Sequence, residues 1–153
     1  MAQKSLPLNL FSFFIVREEE EKFGGYLSEM TLGYIDDKKF EGELNWNPIL
    51  FKYMFGIKLD GIKVNNQFLD IGCDKKDCLV TIDSGTSHLA FPTFAYSKLK
   101  GVLPLRDQGV PCSNSEQFGS LTYVIGGKDY AIPNNEWTFE PESASKVYKE
   151  TNK

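Results

Sequence analysis

One stretch of the chain concentrates groups able to do chemistry: Val80-Thr81-Ile82-Asp83-Ser84-Gly85-Thr86-Ser87, followed at once by His88, the single histidine. An apolar strand here delivers a carboxylate into a tight Ser-Gly-Thr turn. The hydroxyls of Ser84, Thr86 and Ser87 and the turn amides can donate to Asp83. Donors to the charged form hold a carboxylate ionised at neutral or lower pH, which suits a base that activates water. Gly85 permits close backbone approach or a positive φ. A carboxylate that organises its own turn after a strand is also commonplace, so these residues alone leave a catalytic and a purely structural turn both open. A single histidine such as His88 is more often a packed or surface residue than a functional one.

The three cysteines are Cys73, Cys78 and Cys112. With His88 they have the ligand types, and Cys73 and Cys78 the spacing, that zinc accepts. His88 lies directly beyond the turn, however, and nothing else supports a metal. No metal and no cofactor are expected.

The elements that must carry these residues read as strands. Leu10 to Val16 is rich in aromatic and β-branched residues. Gly24-Gly25 opens a second strand, Tyr26 to Tyr34, with Tyr26, Met30, Leu32 and Tyr34 on one face. Glu43 to Asn47 alternates until Pro48. Phe55, Ile57 and Leu59 alternate up to Asp60-Gly61, a turn dipeptide that predicts a hairpin with Ile62 and Val64. Further strands are Leu79 to Ile82, Leu121 to Ile125 and Asp129 to Ile132, the last two joined by Gly126-Gly127. A helix is predicted from Pro92-Thr93 to about Lys100, stopped by Gly101. A second, short helix is expected from Ser143 to Glu150. Trp46, Trp137, Tyr53 and Phe55 read as core or rim aromatics.

Composition narrows the function. The 153 residues are 41% hydrophobic, enough for a sizeable core. The 17 basic residues include only Arg17 and Arg106 as arginines, and the net charge is −4. No basic stripe interleaves with aromatics, so nucleic acid is not an expected partner. The acidic run Glu18 to Lys22 reads as a solvated loop. No run approaches the roughly 18 apolar residues of a membrane helix. The stretch Leu10 to Val16 lacks a small-residue cleavage site and does not read as a signal peptide. There is no Asn-x-Ser/Thr acceptor for N-glycosylation.

The segment Asp83-Ser84-Gly85-Thr86-Ser87, then Ala90-Phe91-Pro92, resembles the second active-site segment of pepsin-like aspartic proteases. Other motifs follow in family order. Phe11-Ser12-Phe13-Phe14 resembles the strand where such enzymes cross between lobes. Leu32-Gly33-Tyr34-Ile35-Asp36, Phe40, Gly42, Leu44, Trp46 and Pro48 resemble the segment after it. Phe55 to Val64 is similar to a strand pair, Cys73-x4-Cys78 to a small disulfide loop, and Tyr123 to Tyr130 to the hairpin after the C-lobe helix. The similarity spans about residues 8 to 133.

The resemblance implies an all-β, pepsin-like lobe with one or two short helices. It implies a lead-in over 1–9, the lobe over 10–140 and a polar tail over 141–153. Asp83 is then one of two catalytic aspartates of an aspartic endopeptidase, Ser84 braces the lobes, and Gly85 and Thr86 hydrogen-bond the carboxylate. Ser87 and His88 fall near the substrate cleft, Cys73 pairs with Cys78, and Cys112 is left odd. A second Asp-Thr/Ser-Gly segment is not in the chain, nor are the flap tyrosine and the closing apolar pair with Gly-Asp. The expectation is most of a C-terminal lobe, cut at both ends and inactive alone. Its expected partners are a peptide or protein substrate and either a missing N-terminal lobe or a second copy of the chain. Family habit implies the secretory pathway, a lysosome or vacuole, or the extracellular space. Two alternatives remain: a homodimeric protease joining two Asp83 residues across a two-fold axis, as in retroviral relatives, and an inactive peptide-binding or interaction module with open strand edges.

Overall fold

The computed structural model describes residues 6–17, 21, 24–86, 88–103 and 118–137. Cys112, Ser87 and the expected helix from Ser143 to Glu150 lie outside them. The chain divides into two compact units, Met1–Asn45 and Trp46–Lys153. The elements are mostly β-strands, with few short helices.

In the first unit, β1 (Phe11–Phe14) pairs antiparallel with β2 (Glu29–Leu32), setting Phe11 opposite Leu32 and Phe13 opposite Met30. The expected Tyr26 to Tyr34 strand is shorter, and the covered face is the other one. Thr31 is buried while Met30 and Leu32 are exposed. Period two separates the faces of a strand but does not say which is covered. Gly33 follows with φ +81, its amide donating to Leu10 O at 2.9 Å and its carbonyl accepting from Leu8 N–H at 3.0 Å. A Cβ there would lie 3.1 Å from Leu6 and Pro7 side-chain carbons, so both conformation and space call for glycine.

The second unit holds two sheets. The first has the order β3 (Ile49–Phe51), β4 (Gly56–Leu59), β7 (Cys78–Val80); the second has β6 (Gln67–Leu69), β5 (Gly61–Val64), β8 (Leu121–Ile125), β9 (Lys128–Ile132). Glu43 to Asn47, expected as a strand, is not one, and the strand begins after Pro48 instead. The β4–β5 hairpin is also corrected. These strands abut at Asp60 but belong to different sheets. Asp60 donates its amide to Val124 O at 2.8 Å and accepts from Gly127 N–H at 2.9 Å through Oδ2. These bonds hold the chain where it passes between sheets. The tight hairpin is β5–β6, turning at Asn65-Asn66 with φ 51 and 65, a left-handed pair that asparagine tolerates. Gly126-Gly127 (φ 59 and 73) makes the equivalent turn between β8 and β9, as expected.

The helix α1 (Thr93–Lys100) has the expected bounds. Ala95 and Leu99, four apart on one face, are buried in a core with Leu59, Ile62, Val64, Ile71, Cys78, Leu103, Leu121 and Ile125. Burying each large side chain of this set contributes about 1.5–3 kcal/mol. A one-turn helix, α2 (Asn134–Trp137), sets Trp137 against the core. Trp46, Tyr53 and Phe55 are exposed.

Candidate active site

The site is built outward from that core. On β7, Cys78 lies opposite Leu59 and Val80 opposite Ile57. Cys78 is buried and forms the expected disulfide with Cys73, the Cα atoms 5.2 Å apart. Two of the thiolates that the zinc alternative needs are therefore consumed. Past Val80 the chain leaves the sheet, Ile82 is 76% exposed, and Asp83 opens the turn.

Both oxygens of the Asp83 carboxylate accept hydrogen bonds. Gly85 N–H donates to Oδ1 at 2.9 Å, and the Thr86 hydroxyl donates to Oδ2 at 2.6 Å. The Thr86 amide closes the turn onto Asp83 O at 3.3 Å. The Thr86 hydroxyl first, then the Gly85 amide, holds the carboxyl below the usual aspartate value, with slight desolvation opposing them. The shift comes from hydrogen bonds, not from a neighbouring charge. Of the two roles open to Gly85, close approach applies, since a Cβ would stand 3.3 Å from Oδ1.

Asp83, Gly85 and Thr86 are thus brought together. Ser84 is exposed on the turn and, among the described residues, is not a donor to Asp83. His88 is exposed just beyond, in no strand. An ionised, exposed carboxylate with fixed donors can orient and deprotonate water, given an acid on the water's other side.

Two contacts around the segment carry no motif. Phe91 stacks on Tyr123 of β8, the centroids 6.4 Å apart and the rings 13° from parallel. Burial pushes the Tyr123 phenol up to about 12, so it stays neutral at every pH the site would use. Lys76, in the disulfide loop, places its ammonium over Phe94 of α1. Apolar spacing gave a signal for Phe91 and Tyr123 as strand or flank residues, but none for their pairing.

A family model described as "Eukaryotic aspartyl protease" matches residues 1–149. Cathepsin E of Aquarana catesbeiana is 31% identical over 144 residues, covering 92% of this chain and 35% of that protein. Cathepsin D of Homo sapiens is 28% identical over 152 residues, covering 96% of this chain and 35% of that protein. The chain therefore spans about a third of the length of these curated relatives. The crystal structure of an aspartic proteinase from Irpex lacteus superposes with a TM-score of 0.66 at 20% identity, over 88% of this chain and 40% of that one, a likeness of fold.

Proposed function

The chain belongs to the eukaryotic aspartyl protease family, and from that premise we propose that Asp83 is one of two aspartates that hydrolyse peptide bonds, supplied by a C-terminal lobe spanning residues 10–140. The observation that carries this reading is the doubly hydrogen-bonded Asp83 carboxylate on its exposed turn. In such a dyad two carboxylates share one proton and one water. One takes a proton from the water while the other donates to the substrate carbonyl oxygen; the water oxygen then bonds to the carbonyl carbon, and the later break of the C–N bond releases acid and amine. Gly85 and Thr86 keep Asp83 in the ionised role. Ser84 faces the other lobe, and Ser87 and His88 border the peptide.

The second aspartate comes from another lobe, either elsewhere in a longer polypeptide or in a second copy of this chain. The Cys73–Cys78 disulfide supports an oxidising compartment of the secretory, lysosomal or extracellular type. The test is hydrolysis of a general aspartic-protease substrate between about pH 3 and pH 6. The 153-residue chain alone is expected to be inactive. A protein joining it to a second Asp-bearing lobe is expected to cleave and to lose activity by at least about 10²-fold in Asp83→Asn. Undiminished cleavage in that variant defeats the assignment. Cleavage by the chain alone, lost in Asp83→Asn, would establish the homodimer.

A further inference from the structure

The two ends of the segment that carries Asp83 meet. Lys76 lies in the loop closed by Cys73 and Cys78, and its ammonium nitrogen stands 3.7 Å from the centroid of the Phe94 ring. Phe94 belongs to the first turn of α1. The Lys76 amide donates to Gly72 O at 3.2 Å, and Lys76 Cε lies 3.9 Å from where a Gly72 Cβ would stand. The stem of the lysine therefore folds back over the base of its own loop before reaching the ring.

Cys78 anchors one end of this segment in the core, and Ala95 with Leu99 anchors the other. Those anchors fix β7 and the body of α1. Cys73 packs against the same core and Ala95 seats the first turn of the helix there, so Lys76 and Phe94 add a contact outside the core, between the exposed part of the loop and the outer face of that turn. A cation over a ring face is directional and holds only within about 6 Å of the centroid. Phe94 is half exposed and Lys76 exposed, so the contact contributes little to the core.

We propose that Lys76 and Phe94 form a clasp that positions the Asp83 turn, holding the Gly85 amide and the Thr86 hydroxyl in line with the carboxylate. Lys76 and Phe94 are then positioning residues. Their bearing on peptide hydrolysis rests on the catalytic reading of Asp83, whereas their effect on the turn does not. Hydrogen bonds weaken steeply as they bend, so opening the clasp loosens both donors before it loosens the core.

The experiment is a carboxyl-carbon NMR titration of Asp83 in the full 153-residue chain, with amide exchange of Gly85 read beside that of Leu99. Lys76→Met keeps the stem and removes the charge, Phe94→Leu keeps the charge and removes the ring, and Lys76→Arg keeps a cation over the ring. In the Met and Leu variants the Asp83 midpoint is expected to rise towards the ordinary aspartate value. Gly85 exchange should quicken roughly two- to fivefold, the equivalent of an exposed cation–π contact, while Leu99 exchange holds. Lys76→Arg should restore both. A rise in Lys76→Met but not in Phe94→Leu would reduce the effect to bare charge and overturn the clasp. An unmoved midpoint in both, or a loss of Leu99 protection equal to that of Gly85, would overturn it as well. Because no peptide is cleaved in this test, its result stands apart from the activity of a two-lobed protein.

Discussion

The paired strands β5 and β8 and the turn at Asp83 lie in the same unit but are held by different forces. Ile62 and Leu121 are buried on a four-stranded sheet, with Ala95 and Leu99 in the same core cluster. The turn has exposed residues, two hydrogen bonds to one carboxylate and a backbone closure. Apolar burial is non-directional and adds up with area; hydrogen bonds to an exposed carboxylate contribute little to stability but fix direction. The core thus supplies the stability that the turn does not, and the turn can remain exposed. The contrast implies that substitutions in the core should change folding, while substitutions at the turn should change titration and leave folding nearly unmoved.

The largest effect should come from Leu99→Ala. Its side chain is fully buried, and such truncations cost about 2–5 kcal/mol. Urea unfolding is the measurement. A loss under about 1 kcal/mol would mean that the helix is not part of the core.

Next is the disulfide, which closes the loop from Cys73 to the first residue of β7. Closing so short a loop is worth about 2 kcal/mol by chain entropy. Cys73→Ser with Cys78→Ser should lower stability by that amount. Mass spectrometry without reductant should find one bridge, between these two, and a free thiol at Cys112. Three free thiols would remove the bridge from the argument.

A smaller effect is expected at Gly61. A Cβ there would lie 2.9 Å from Phe68 Cε1, and the ring is exposed. Gly61→Ala should cost about 1 kcal/mol, at the low end for overpacking because the ring can swing outward. Adding Phe68→Ala should remove most of that cost, a coupling visible in a double-mutant cycle. If the two changes simply add, the ring is not what excludes a side chain.

The same division governs what could be read from sequence. The ends of α1 were legible because Pro92 and Gly101 act locally, and so was the β8–β9 turn, which two adjacent glycines define. Asp83, Gly85 and Thr86 were legible because three neighbouring residues make the whole geometry. Asp60-Gly61 announced a change of direction, but its two strands join different sheets. Which sheet accepts a strand depends on residues some 60 positions away, at Val124 and Gly127. Met30 and Leu32 showed a face without showing its exposure. The Lys76–Phe94 and Phe91–Tyr123 contacts pair residues whose types alone say nothing of each other.

The smallest effect, and the one most particular to the turn, is in acid. Gly85 and Thr86 bind the charged form of Asp83, so its folded value is depressed. Between the folded and unfolded values the folded chain carries fewer protons than the unfolded one. The stability from these bonds is therefore fully present above the unfolded value, about 3.9. It is lost as pH falls through the folded value. Asp83→Asn should flatten this limb, lowering the melting temperature slightly at about pH 6, where the charged carboxylate holds both donors, and converging on the unsubstituted chain as pH falls through the folded value. Thr86→Val removes the larger of the two causes and leaves the Gly85 amide, so it should raise the Asp83 midpoint part of the way and flatten the limb less. The comparison is read as melting temperature against pH for the three proteins, with Leu99 exchange as the control for the core. Parallel curves would mean that the turn does not hold the charge, and the base role of Asp83 would lose its physical support.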